Sequence, residues 1–378
     1  MRILHLCSYS LYSGPVPSTL GLALAQRQLG HTVFLAYDTK RGAFNDFEEA
    51  AAPWVEPHGL TPPMRLTLSA KSSPFEYVQD LLQLRRHLMR GGIDVVHTHL
   101  SHDHGIAALA GRPGGVPLVR TMHAERSLVR RFGQGWLNRR VDGFVLRCEQ
   151  HRGLLCERFA VDVRRACVIE GSIDANRFTP ASAEVRRRAR ERFDLPLDVP
   201  VVCHVALIAD RGQEELVRAH ALLGQRAPHL LFVGRGEKEQ ALKRLVDTIG
   251  IGQRVRFSGY LRGEALLDAY AAADAAYLAL PGNDASMRAA LEAMACALPL
   301  LAVRTGSLAE LVTPVVGFPI GERSVEAVAA TLIEWLDLGE GARERGRAAR
   351  ALVVKQRTFS REAERTLAFY STLNRGRF

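Results

Sequence analysis

Short apolar runs, each followed by a stretch of helical periodicity, recur along the chain from its first residues. This alternation constrains the fold more than any single motif, because parallel strands need a crossover between them and a helix supplies it. In the first half the predicted strands are Ile3 to Cys7, Thr32 to Tyr37, Ile93 to Thr98, Leu118 to Met122 and Gly143 to Leu146. In the second half they are Val201 to Val205, Leu230 to Gly234, Val255 to Ser258, Ala275 to Leu280 and Leu300 to Val303. Ser18 to Leu29 reads as a helix stopped by Gly30, and Phe75, Val78, Leu81, Leu82, Leu88 and Met89 recur at helical spacing. The expected class is α/β.

A chain of 378 residues is too long for one ordinary domain. Two βα series meet at VIEGSIDANRFTP, residues 168–180, ahead of a charged run, Glu184 to Arg192, that reads as a solvated helix face. The expected organisation is a Rossmann-like domain over 1–167, a connection over 168–180 and a second such domain over 181–358. A cleft between two such domains suits a nucleotide, since strand ends and helix N-termini face it. No run approaches the roughly 20 apolar residues that cross a bilayer. MRILHLC reads as a first core strand rather than a cleaved leader. The six cysteines are scattered without a CxxC pair, as buried thiols in a reducing cytoplasm would be. A formal charge of +10 admits a phosphorylated ligand, nucleic acid or an acidic membrane surface. With 7% aromatics, no zinc-finger spacing and dispersed basic residues, no nucleic acid partner is expected.

The first strand leads into SYSLYSGPVPS, where Gly14 stands alone, and no Gly-Lys-Ser/Thr follows any strand. Dehydrogenase and P-loop readings therefore carry little weight. More informative is PGNDASMRAALEAMACALP, where a loop with Gly282, Asn283, Asp284 and Ser286 runs into a helix with Leu291 and Glu292. The positive end of such a helix suits a phosphate, and Asp284 and Glu292 could bind hydroxyls. An N-capping aspartate with a surface ion pair at Glu292 explains the same spacing. In HTHLSHDH, His97, His99, His102 and His104 crowd beside Asp103. No Cys or Glu stands with them, and a strand end entering a helix should turn the four rings different ways, so structural or substrate-facing histidines are expected and no metal.

The order of these segments resembles retaining glycosyltransferases of family 4, with the two-domain GT-B fold, over essentially the whole chain. VIEGSIDANRFTP is similar to that family's inter-domain signature, usually written VIPNGVDxxxFxP. HLLFVGRGEKEQALKRLVDTIGIGQRVRFSGYLRGEALLDAYAAADAAYL resembles its nucleotide-binding half, and LEAMACALPLLAVRTGSLAELV its donor-site helix and following strand. DVVHTHLSHDHGIAAL and PLVRTMHAE are similar to its acceptor-side half. The resemblance is to enzymes of the kind that build bacterial surface polysaccharide and lipopolysaccharide.

The resemblance implies functional positions where the residues match. The family's paired acids, eight residues apart, fall on Asp284 and Glu292, the first contacting the donor sugar and the second the ribose. Ala285, Ser286, Met287 and Arg288 replace its usual Gly-Phe-Gly-Leu. In VALIADRGQEEL, Arg211 takes the place of the diphosphate-binding Lys while Ala206 replaces its partner Arg, and Arg288 is a candidate for the missing charge. His123 matches the His near the anomeric centre, and Gly14 the first loop near the donor phosphates, with Pro15 for the usual second glycine. The donor-binding set is then Gly14, Arg211, Ser286, Met287, Arg288 and Glu292, and the catalytic set His123 and Asp284. For His97 and His99 a structural role with alternate exposure is expected. No Asp-x-Asp occurs, which agrees with a metal-independent site, no cofactor and a nucleotide-diphosphate sugar as co-substrate.

Residues 120–165 hold eleven arginines against five acids, interleaved with Leu128, Val129, Phe132, Trp136 and Leu137. The pattern fits a solvated helix with a core-facing stripe, or a basic face on an anionic membrane next to a glycan or lipid-linked acceptor. The resemblance then implies a cytoplasmic protein, peripheral at the inner face of the membrane, whose final helix within 359–378 packs back on the first domain. The altered donor loop, with Ala206, Asp284, Ala285 and Met287, also suits a non-catalytic sugar-nucleotide or glycan-binding protein on this fold. An epimerase on the same fold is a third reading.

Overall fold

The structure, a computed structural model, describes residues 1–40, 49–62, 64–130, 132–280 and 284–375, with the side chains of 284–286 and 374–375 outside that description. The chain divides into two units, the first made of residues 1–172 with the helix Phe359–Arg375, the second of most of residues 173–358. Each holds a six-stranded parallel sheet covered by helices.

The first sheet is built from β1 (Arg2–Cys7), β2 (Thr32–Tyr37), β3 (Val95–Thr98), β4 (Leu118–Met122), β5 (Gly143–Leu146) and β6 (Ala166–Val168), in the order 2-1-3-4-5-6. Its strands read as apolar runs because helices cover both faces. Leu4, Leu6, Val96, Leu118 and Phe144 pack on one side; Ile3, Val95, Val119 and Val145 pack on the other. On this second side the helix Val16–Gln28 lies against Phe359–Arg375. A Cβ at Gly21 would fall 2.3 Å from the Phe359 ring, so the close approach of the two helices requires glycine there. A buried ion pair fastens the last helix: Arg147 donates to Glu362 at 2.7 Å, and Ser172 bonds the other oxygen of the same carboxylate.

The second sheet is built from β7 (Val201–Val205), β8 (His229–Val233), β9 (Val255–Gly259), β10 (Ala275–Leu278), β11 (Leu300–Val303) and β12 (Gly317–Ile320), in the order 12-11-10-7-8-9. The charged run forms the helix Ala183–Arg192, and most of it is solvated. Arg190 is the exception: it is buried, donating to the carbonyls of Pro196, Leu197, Val199 and Ala272 and to Asp274 at 2.6 Å.

The strand order reverses between β1 and β3 in the first unit and between β7 and β10 in the second. Ligands of open parallel sheets sit outside the carboxyl ends of the strands at such reversals. Two strands, β6 and β12, lie outside the sequence expectation, and both are sheet edges.

Candidate functional site

In the second unit β7 ends at Val205 and the chain turns through Arg211 and Gly212 into the helix Gln213–Leu222. Gly212 has φ +88°, and a Cβ there would lie 2.2 Å from Ala279 just past β10, so the turn is pressed against the neighbouring strand end. The Arg211 amide donates to the Gln213 side chain at 3.0 Å. Arg323 pairs with both Asp210 and Glu215, bracketing Arg211 from outside. Ala206 spends its amide on the Val233 carbonyl and brings no charge to the turn.

Past β10 the helix Asp284–Ala295 starts, also at the reversal. Glu292 is buried, accepts from the Tyr270 hydroxyl at 2.8 Å and lies 3.6 Å from the Arg288 Nε. Burial raises its pKa, while Arg288 and the Tyr270 hydrogen bond pull it back. The surface ion pair that spacing also allowed is therefore excluded by the burial of Glu292. Arg288 Nη1 is buried with no hydrogen-bond partner among the described residues, and Met287 packs partly buried against the core. The side chains of Asp284 and Ser286 lie outside the described residues.

In the first unit the carboxyl ends of β1, β3 and β4 carry polar side chains on one face. His5 stands beside His97 in the register of β1 and β3; His99 and His123 follow their strands by alternate positions. His5 bonds Gln26 at 2.8 Å and His99 at 3.0 Å, and His99 bonds His123 at 2.9 Å. His97 instead bonds Thr121 at 2.7 Å and the Tyr370 hydroxyl at 2.5 Å. Burial lowers the pKa of His5 to about 4 and holds His97 and His99 well below the ordinary value, so all three rings are neutral near pH 7. Asp103 is buried and accepts from the amides of Ser8, His99 and Leu100, tying the β1 turn to the start of the helix Ser101–Ala110; burial pushes its pKa up to about 7.

Two expectations for the histidines are corrected. His97 and His99 are both buried rather than alternately exposed, and they point to one face rather than diverging, because residues two apart in a strand share a face. His102 and His104 do turn elsewhere, His102 edge-on to Tyr77 and His104 into the core. His5, His97 and His99 bring ring nitrogens within 4.8 Å of one another. A metal does not suit them: His97 and His99 stack 4.5 Å apart with planes 26° from parallel, and the in-plane lone pairs of stacked rings do not converge. Every nitrogen of the three rings is also within hydrogen-bond distance of a protein group.

Residues 12–177 match the family described as Glycosyltransferase Family 4, and residues 185–352 that described as Glycosyl transferases group 1. The D-inositol 3-phosphate glycosyltransferase of Mycolicibacterium smegmatis is 30% identical over 303 residues, covering 74% of this chain and 68% of its own length. That of Salinispora tropica is 32% identical over 248 residues, 58% of this chain and 51% of its own. A GDP-mannose-dependent phosphatidylinositol monomannoside mannosyltransferase of Corynebacterium glutamicum is 31% identical over 180 residues, 45% of this chain and 46% of its own. The chain thus spans about half the length of the curated relatives first matched. A crystal structure of a glycosyltransferase from Rickettsia africae superposes with a TM-score of 0.82 at 19% identity, over 98% of both chains. That of Anabaena HepE in complex with UDP superposes at 0.80 and 17%, over 98% of this chain and 100% of its own.

The chain belongs to glycosyltransferase family 4. Its fold is the GT-B fold, with two Rossmann-like halves. In this family 4 member Arg211, Arg288 and Glu292 lie at the reversal of the second sheet, and Gly14, at φ +54° in the loop after β1, at that of the first, whereas His123 follows the adjacent β4. Sequence reasoning missed His5 and Gln26, which share the buried face with His99. The available signal was polar residues two apart at the ends of adjacent strands, as in His97 with His99 and Thr121 with His123.

Proposed function

We propose that the chain transfers a sugar from a nucleotide-diphosphate sugar to a hydroxyl of a glycan or lipid-linked acceptor, with retention of configuration and without a metal. One observation carries this reading: the Arg211–Gly212 turn is pressed against the end of β10, the strand that leads into the helix bearing Arg288 and Glu292. Two helix N-termini at one sheet reversal, with guanidinium groups beside them, suit a diphosphate leaving group. The unpartnered Arg288 Nη1 is a donor for it, and the Glu292 carboxylate an acceptor for ribose hydroxyls. As the C1–O bond to the diphosphate breaks, the acceptor oxygen bonds C1 on the same face and its proton passes to the departing phosphate. Preorganised charge of this kind contributes on the order of 10²-fold per donor. His123 and Asp284 are assigned to the sugar by the family resemblance.

For the acceptor, the relatives named above carry inositol phosphate and phosphatidylinositol mannoside in their names. Leu128 is buried, while Val129, Phe132 and Trp136 are exposed near Arg130 and Arg140, the latter stacked on Trp136 at 3.4 Å. Such a face supports docking on an anionic bilayer and a peripheral place at the inner membrane surface. Several arginines of the segment serve the interior instead: Arg120 bonds Asn138, and Arg165 the Val141 carbonyl.

The test is a thermal-shift and calorimetric panel of UDP, GDP, ADP and their sugars on the wild type and on Glu292→Ala and Arg211→Ala. At least one ligand raises Tm, and both variants lose about tenfold or more in affinity. No binding at millimolar concentration would sink the reading. With the donor identified, transfer that stops on EDTA addition overturns the metal-free part.

A further inference from the structure

Gln26, His5, His99 and His123 form one unbroken hydrogen-bonded row, with successive contacts of 2.8, 3.0 and 2.9 Å. The first three are at most 2% exposed and His123 is 7% exposed. A neutral imidazole has one N–H and one lone pair, so the proton positions along such a row are not independent. With Gln26 Oε1 as the end acceptor, His5 holds its proton on Nε2 and accepts on Nδ1. His99 then donates from Nε2 to His5 and accepts on Nδ1. His123 in turn donates from Nε2, and Nδ1 becomes its lone-pair nitrogen.

We propose that Gln26 and His5, through His99, are positioning residues that hold His123 in the Nε2–H tautomer, so that this ring presents a hydrogen-bond acceptor and not a donor. The inference deepens the proposed function, in which His123 is assigned to the sugar. Burial keeps His5 and His99 neutral near pH 7, so the two middle links of the row carry one proton each. Gln26 turns Oε1 to His5 and leaves Nε2 without a hydrogen-bond partner among the described residues, and this orientation sets the direction of the row. The Tyr370 hydroxyl is hydrogen-bonded to His97 Nδ1, and the Thr121 hydroxyl to its Nε2. His97 is thereby held by partners of its own, outside the row.

Tautomers are read directly by long-range ¹H–¹⁵N correlation on the full chain labelled at histidine, at pH 7.5, without turnover. The wild type shows His123 protonated on Nε2; protonation on Nδ1 overturns the proposal. In Gln26→Met the end acceptor is lost, and His5, His99 and His123 move to averaged tautomer shifts while His97 keeps its own. Gln26→Glu retains an acceptor oxygen and restores the wild-type pattern. An unchanged His123 in Gln26→Met, or equal change at His97, overturns the coupling; if that variant does not fold, the wild-type spectrum and Gln26→Glu still decide. In transfer assays Gln26→Met lowers kcat roughly tenfold or more with donor KM within about twofold, as loss of a required tautomer does. An intact tautomer without any transfer would count against the proposed function and leave the positioning row standing.

Discussion

His5 in β1 and His204 in β7 occupy the same place in the two sheets, fourth in the first strand of each unit and beside the reversal of strand order. Both are buried and neutral, with pKa lowered to about 4 by loss of water. Their surroundings differ. His204 bonds one backbone carbonyl, that of Tyr277 at 2.8 Å, and its Nε2 has no hydrogen-bond partner among the described residues, with the Phe232 and Tyr277 rings beside it. His5 is continued on both sides by side chains and reaches His123. The same strand position is filler in one half and a connected part in the other, so a histidine's role is set by what its second nitrogen meets.

Acid should separate the halves most strongly. Above pH 6.5 folded and unfolded chains both keep these rings neutral and the full stability is present. As pH falls toward 4 the unfolded chain takes up protons that the folded one refuses, and a ring lowered from 6.5 to about 4 forfeits on the order of 3 kcal/mol. The first unit holds His97, His99 and His104 well below the ordinary value in addition to His5, against His204 and His220 in the second. Asp103, raised to about 7, takes up its proton in the folded state and offsets part of this loss, so the first unit opens first by a reduced margin. Hydrogen exchange at pH 7.5 and 5, mapped to each unit, checks this; earlier opening of 173–358 would break the comparison.

The ion pair of Arg147 with Glu362 is next, since Glu362→Ala strands a buried guanidinium and should cost about 3–5 kcal/mol in the first unit. Urea unfolding with site-resolved exchange should find the second unit unaltered. His5→Phe leaves Gln26 and His99 unsatisfied and should cost about 2 kcal/mol or more, whereas His204→Phe should cost about 1 kcal/mol or less. Equal losses would mean that the row adds nothing to stability. Smallest in folding terms is Phe132→Ser, within about 0.5 kcal/mol because the ring is fully exposed. Its effect belongs instead to cosedimentation with anionic vesicles, which should fall while nucleotide binding holds.

The central strands were legible because burial on both faces demands a largely apolar run, unbroken in Gly143–Leu146 and Leu300–Val303. The edges were not. β6 is only Ala166–Val168, and β12 contains Pro319, which cannot donate to a ladder and is tolerated at an edge. In the second unit, Glu292, Arg288 and Arg211 came from spacing and resemblance, but only the fold shows Tyr270 on Glu292 and Gly212 against Ala279. His5 escaped notice because a single histidine in RILHLC does not disclose partners more than twenty residues away.

The helix Phe359–Arg375 belongs to the unit whose six strands all precede residue 173. On the ribosome, β1 to β6 therefore leave the exit tunnel with the face around His97 and Gly143 bare, and they wait while the whole second unit is translated. The later half can close first, and the earlier half lacks its contacts to Tyr370 and Glu362 until those residues emerge. A stop codon just before Phe359 would thus spare the half nearest to it and cripple the half made first.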